Sequence, residues 1–258
     1  MAFLRAVQVE MLKIRKSKMI WITLAVFTMA PMMAGFFIFV LKNPALAKSS
    51  GLIGDKAQIF GVADWPTYLS MLAQIIAVGG ILVFGFVTSW VFGREYADRT
   101  IKDLLTLPTH RMIIILAKFL AVMLTNLLLS VYIVLLGVSI GFFIQLPEWS
   151  LEMVLDKGFV LVATTLLTLA LSAPPAFLAC YGRGYLAPIG FILFMVVLAQ
   201  VIAAAGYGAF FPWAVPAIFS GMAGTETALG AGSFFLVLFT GFIGLAATVS
   251  WWLYADQH

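Results

Sequence analysis

The chain has 258 residues, of which 63% are hydrophobic and only 10% charged, with a mean hydropathy of +1.09 and a formal net charge of +4. A soluble domain is roughly 45–50% apolar and about 25% charged, so a water-soluble fold of this length could not hide its apolar surface, and lipid is the solvent this composition selects. The single cysteine, Cys180, excludes an intramolecular disulfide and reads as a small packed residue in an apolar run.

In chain order, the N-terminal segment Ala2–Lys18 differs in kind from the rest of the chain. Leu4, Val7, Met11 and Ile14 form one apolar stripe at helical spacing, while Arg5, Gln8, Lys13, Arg15 and Lys16 lie mostly off it. That pattern predicts a helix over about residues 1–19 lying in the membrane interface, its basic face towards anionic headgroups. A spanning helix needs about 20 mostly apolar residues. Six stretches qualify: Ile20–Leu41, Thr67–Phe92, Met112–Phe143, Gly158–Cys180, Tyr185–Phe211 and Ser233–Tyr254. The expected fold is therefore an all-α integral membrane protein with one six-span transmembrane domain covering residues 1–258. The third stretch is long enough to tilt or to run past the bilayer. All seven tryptophans fall near predicted span ends, as an interfacial belt requires. Ala45-Leu46-Ala47 resembles a signal-peptidase site, but the apolar run before it exceeds the 7–15 residues of a signal h-region. It reads as an uncleaved first span.

Lys and Arg set the orientation. With the N-terminus in the cytoplasm, that side receives Arg5, Lys13, Arg15, Lys16, Lys18, Arg94, Arg99, Lys102, Arg111, Lys118 and Arg183, against Lys42, Lys48, Lys56 and Lys157 outside. The positive-inside rule then puts both termini in the cytoplasm. The basic pI of about 9.2 reflects topology and anionic inner-leaflet lipid rather than nucleic acid.

Five of the fifteen basic residues and three of the eleven acids gather in FGREYADRTIKDLLTLPTHRMIIILAK from Phe92 to Lys118. Thr100-Ile101-Lys102-Asp103 has capping-box spacing, with Asp for the usual Glu. Ile101, Leu104 and Leu105 then share one face of a short helix that Pro108 stops, and Thr109 is placed to cap the next. Lys118, within a span, is expected to snorkel to the surface. A short amphipathic helix that docks onto a partner fits this stretch; so does a well-capped polar connection.

Four places resemble the permease subunits of ABC-2-type transporters, in the branch of bacitracin-resistance and lantibiotic-immunity permeases. These are Glu10-Met11-Leu12-Lys13-Ile14-Arg15; the pattern of Glu95, Thr100, Lys102, Leu104, Leu105, Pro108, Arg111 and Lys118; Gly182-Arg183-Gly184-Tyr185; and Phe211-Pro212-Trp213-Ala214-Val215-Pro216. Arg99 stands where the family usually has Gly before the Thr. The resemblance implies a coupling helix between spans 2 and 3, formed by Glu95, Thr100, Lys102, Asp103, Leu104, Leu105, Pro108 and Arg111, that docks on a separate ATPase. It implies a second contact through Glu10, Lys13 and Arg15. It also implies that the segment after span 5 folds back into the outer half of the membrane. The residues themselves, Gly- and Pro-rich without a basic side chain, fit that or an external loop.

The resemblance implies two copies of the ATPase, which would bind ATP and Mg, and a second permease chain, identical or related. The chain itself holds no G-x-x-x-x-G-K-[ST], so no nucleotide is expected to bind it, and with both histidines at the cytoplasmic edge and no acid mid-span no catalytic or metal site is expected either. The expected function is permease subunit of an ATP-driven exporter of amphipathic or hydrophobic cargo (peptide antibiotic, drug or lipid) at the bacterial cytoplasmic membrane. An ATPase-independent channel or carrier is the alternative. Gln74, Asn126, Ser130 and Gln200 are the polar candidates for a cargo pathway.

Overall fold

A computed structural model describes residues 2–43, 62–101, 106, 109–222 and 229–255. Every regular element among them is helical. An N-terminal helix, Ala2–Lys16, is followed by six helices long and apolar enough to cross a membrane. They are span 1 (Lys18–Lys42), span 2 (Trp65–Ala97), span 3 (Arg111–Ile144), span 4 (Leu151–Tyr181), span 5 (Leu186–Ala204) and span 6 (Ala231–Tyr254). The Ala45–Ala47 stretch lies outside the described residues.

Local chemistry sets the helix ends. Ser17 is extended (ψ 149°) and its hydroxyl donates to the Ile14 carbonyl, so the chain turns between the N-terminal helix and span 1. Asp64 caps span 2 by accepting from the Thr67 amide, with Pro66 in the first turn where its missing N–H is harmless. His110, rather than the expected Thr109, caps span 3: its Nδ1 accepts from the Met112 amide. Span 3 ends at Gln145 in the left-handed region (φ 56°), and Lys42 donates to the free carbonyls of Ile144 and Gln145. Span 4 breaks at residues 171–173 and restarts at Pro174-Pro175, the kink that the two prolines predict.

Span 2 is the central helix. Two-thirds of its most apolar window (67%) is buried, against 17–33% for the other five. Tyr68, Leu72, Ile76, Phe84, Val87 and Phe92 are fully enclosed by spans 1, 3, 4 and 5. Small residues let neighbours approach closely. A Cβ on Gly93 would sit 2.8 Å from the Gly184 backbone in the turn between spans 4 and 5, and one on Gly241 would sit 2.7 Å from the Ala170 carbonyl of span 4. Midway, span 2 widens into one π-helical turn, Ile75–Gly79. Such turns recur at functional sites.

The chain after span 5 does not leave the bundle. A 3₁₀ turn at Gly208–Phe210 and a short helix, Val215–Phe219, pack on spans 2, 4 and 5. Trp213 meets Phe191 edge-on, with centroids 5.6 Å apart. Phe191 lies about 20 Å along span 5 from Ala204, at 1.5 Å per residue.

The tryptophans divide. Trp21 and Trp149 are well exposed, as a belt predicts, whereas Trp65 and Trp252 are wholly buried. Trp65 packs against Phe142 and Trp149 at 5.0 and 4.7 Å, closing the end of the bundle remote from the N-terminal helix. The Trp252 indole N–H donates to the Cys180 sulfur at 3.1 Å, joining spans 4 and 6. Both are span-end residues whose rings turn inwards, which position along the chain cannot reveal.

Candidate functional site: a buried ion quartet at the root of the charged loop

The N-terminal helix does not lie free on a surface. It packs along span 3 through the expected stripe from Val7 through Met11 to Ile14, widened by Glu10. Leu4 is 65% exposed. Glu10 joins that face because it finds buried partners there.

Those partners form the site. Lys118, one to two turns into span 3, is fully buried. It does not snorkel. Its ammonium donates to Glu10 Oε2 at 3.0 Å, Glu95 Oε1 at 3.2 Å and the Val91 carbonyl at 3.3 Å, which uses all three of its donors. Lys13 donates to Glu10 Oε1 at 2.7 Å and Glu95 Oε1 at 3.0 Å. The remaining carboxylate oxygen, Glu95 Oε2, accepts from the Thr100 hydroxyl at 2.7 Å. Two acids and two lysines thus balance, and every carboxylate oxygen has a partner. That complete pairing is what makes buried charge tolerable.

The quartet joins three helices. Glu10 and Lys13 belong to the N-terminal helix, Glu95 to the last turn of span 2 and Lys118 to span 3. Thr100, at the root of the charged loop, is bound to it through Glu95, and Arg99 takes a left-handed conformation (φ 57°) just before. A glycine would adopt that conformation without strain. Of the other candidates in the loop, Lys102, Asp103, Leu104, Leu105 and Pro108 lie outside the described residues. Arg111 turns away: its guanidinium donates to the Trp252 carbonyl at the C-terminal end of span 6, where a cation is favourable. Arg15 is exposed and takes no part.

Burial alone would disfavour the charged form of Lys13, but Glu10 and then Glu95 more than offset it, so its pKa is raised above 10.5. A raised lysine pKa means stability that is fully present below pH 10.5 and lost as pH rises through the folded value. The gap in melting midpoint between wild type and Lys13→Met is therefore expected to stay constant from pH 7 to about 10 and to shrink above that. A gap that closes below pH 9 would contradict this pairing.

The chain matches the family model described as "ABC-2 family transporter protein" over residues 6–200. It belongs to the ABC-2 transporter family. The bacitracin transport permease protein BCRB of Bacillus licheniformis is 31% identical over 195 residues, covering 74% of this chain and 92% of that protein. The matched span takes in the whole quartet and the charged loop.

Of the polar residues expected along a cargo pathway, Asn126 and Ser130 sit one turn apart on span 3, whereas Gln74 belongs to span 2 and Gln200 to span 5. Asn126 is wholly buried, with no partner for its side-chain amide among the described residues, and Ser130 donates to the Asn126 carbonyl within span 3. Gln74 is partly buried just before the π turn. Gln200 lines a pocket of about 430 Å³ with Val78, Ile81, Val196, Ala199 and Trp213. The quartet and the π turn were the features missed from sequence. A lysine inside an apolar span calls for a buried acid, and pairing Lys118 with Glu10 or Glu95 was the available signal.

Proposed function

We propose that this ABC-2 permease is the membrane half of an ATP-driven exporter, moving an amphipathic or hydrophobic cargo such as a peptide antibiotic, a drug or a lipid. The observation that carries the reading is the ion quartet. It ties the N-terminal helix to both helices that flank the charged loop, so a push on the loop from an ATPase reaches three helices as one body. The loop is the coupling element, Glu95–Pro108, and the N-terminal helix supports it from the side. Both termini and the loop face the cytoplasm, in keeping with the Lys and Arg distribution. Two ATPase subunits, which bind ATP and Mg, and a second permease chain, identical or related, complete the transporter.

The relative's printed name, a bacitracin transport permease, supports a peptide-antibiotic cargo. The apolar pocket between the π turn, span 5 and the segment that folds back supports a cargo rich in hydrocarbon, since such sites are mostly apolar with few polar groups. Small inorganic ions suit it poorly.

Co-purification from native membranes is the test. The permease is expected to bring down an ATPase, and the reconstituted complex is expected to hydrolyse ATP faster when cargo is added. A monodisperse permease that transports with no ATPase present would return the reading to a channel or secondary carrier. Cysteine labelling fixes the sides: Asp103→Cys should react with impermeant maleimide only after permeabilisation.

A further inference from the structure

Beside the quartet, a groove of about 450 Å³ runs between the N-terminal helix and the start of span 3. Its floor is small and apolar, from Ala6, Ile114 and Ala117, and its rim carries Arg5, Lys13 and Thr109. We propose that this groove binds the phosphodiester headgroup of an anionic phospholipid.

Charge accounting gives the sign of the ligand. Glu10 also lines the groove, but its two oxygens already accept from Lys13 and Lys118. The quartet as a whole is neutral. Arg5 is exposed, and no ion pair reaches it among the described residues, so it is the uncompensated charge of the rim. The positive end of span 3's helix dipole opens at the same place, next to Thr109. An anion is favoured, and a guanidinium suits the oxygens of a phosphate.

The setting identifies a lipid. The N-terminal helix exposes Leu4, Val9 and Leu12 (65%, 52% and 49%), Val9 at the groove itself, among the exposed cations Arg5, Arg15 and Lys16. Apolar side chains interleaved with cations are the pattern of a helix at headgroup depth. An apolar floor under a basic rim then matches a lipid's glycerol and first methylenes beneath its phosphate. Inorganic phosphate would leave that floor empty.

The test uses full-length permease in detergent, exposed to equal amounts of phosphatidylglycerol and phosphatidylcholine, with retained lipid counted by native mass spectrometry. Phosphatidylglycerol is expected to be retained about tenfold better or more, the scale of one charge-assisted hydrogen bond. Arg5→Gln should bring the ratio near unity. Lys18→Gln, which removes an exposed cation at the same end of the bundle but outside the groove, should leave it unchanged. Equal loss in both variants would reveal a diffuse basic belt and overturn the proposal. So would displacement of the lipid by millimolar inorganic phosphate, or by a purified ATPase whose own binding needs Arg5.

Discussion

Lys118→Met is expected to lower the stability of the permease by about 3–5 kcal/mol, the range for breaking a buried pair by removing one partner. The substitution fits the space but leaves Glu10 and Glu95 sharing Lys13 alone, so a net negative charge stays buried among three helices. Among the described residues, Glu10 Oε2 loses its one donor, and Glu95 Oε1 keeps one of two. Most of the loss is the desolvation of charge that nothing offsets, not the worth of the missing contacts. Adding Glu10→Gln should therefore restore a large part of it, because the Lys13–Glu95 pair that remains is neutral. Unfolding of the detergent-solubilised single and double variants measures both effects. If Lys118→Met shifts stability by less than about 0.5 kcal/mol, as an ordinary surface change would, the quartet is not what holds the N-terminal helix in place.

How far the sequence could be read depended on which forces act locally. Six helices that can cross a membrane follow from length and apolarity, because in lipid each backbone must satisfy itself within its own helix. The resemblance to ABC-2 permeases, carried by a handful of motif residues, led to the family the chain belongs to. Facing was harder. Spans that are apolar all round carry no periodic signal for an inner side, so the central place of span 2 and the inward turn of Trp65 and Trp252 emerge only from packing. The N-terminal helix does have a periodic stripe, and it packs inwards from Val7 to Ile14; what the stripe does not show is that Glu10 is buried beside it on Lys118, far away in sequence, while Leu4 stays exposed. Glu10, Lys13 and Glu95 were all legible as candidates. Lys118 called for a buried acid, but that it and Lys13 share both Glu10 and Glu95 was not legible, because nothing local joins residues so distant along the chain. The π turn at Ile75–Gly79 likewise has no periodic signature, only the paired glycines at its end.

The proposed function rests on the loop between spans 2 and 3 transmitting ATP hydrolysis to the bundle, with Leu104 and Leu105 proposed as its apolar anchors and Lys102 and Asp103 as its rim. Burying an apolar side chain is worth about 1.5–3 kcal/mol, whereas an exposed ion pair contributes roughly 0–1. Leu105→Asp removes the first and puts an unpaired carboxylate into the contact. Docking should weaken by about 10- to 100-fold or more, at about 1.4 kcal/mol per factor of ten. Lys102→Ala should cost less than about fivefold by the same conversion. Membrane insertion should be normal in both, because the loop lies outside the spans. The decisive measurement is cargo-stimulated ATP hydrolysis by reconstituted permease and ATPase at matched expression. The account predicts that Leu105→Asp falls to the unstimulated rate while Lys102→Ala keeps most of its stimulation; full stimulation with Leu105→Asp would show the loop to be a capped connection only.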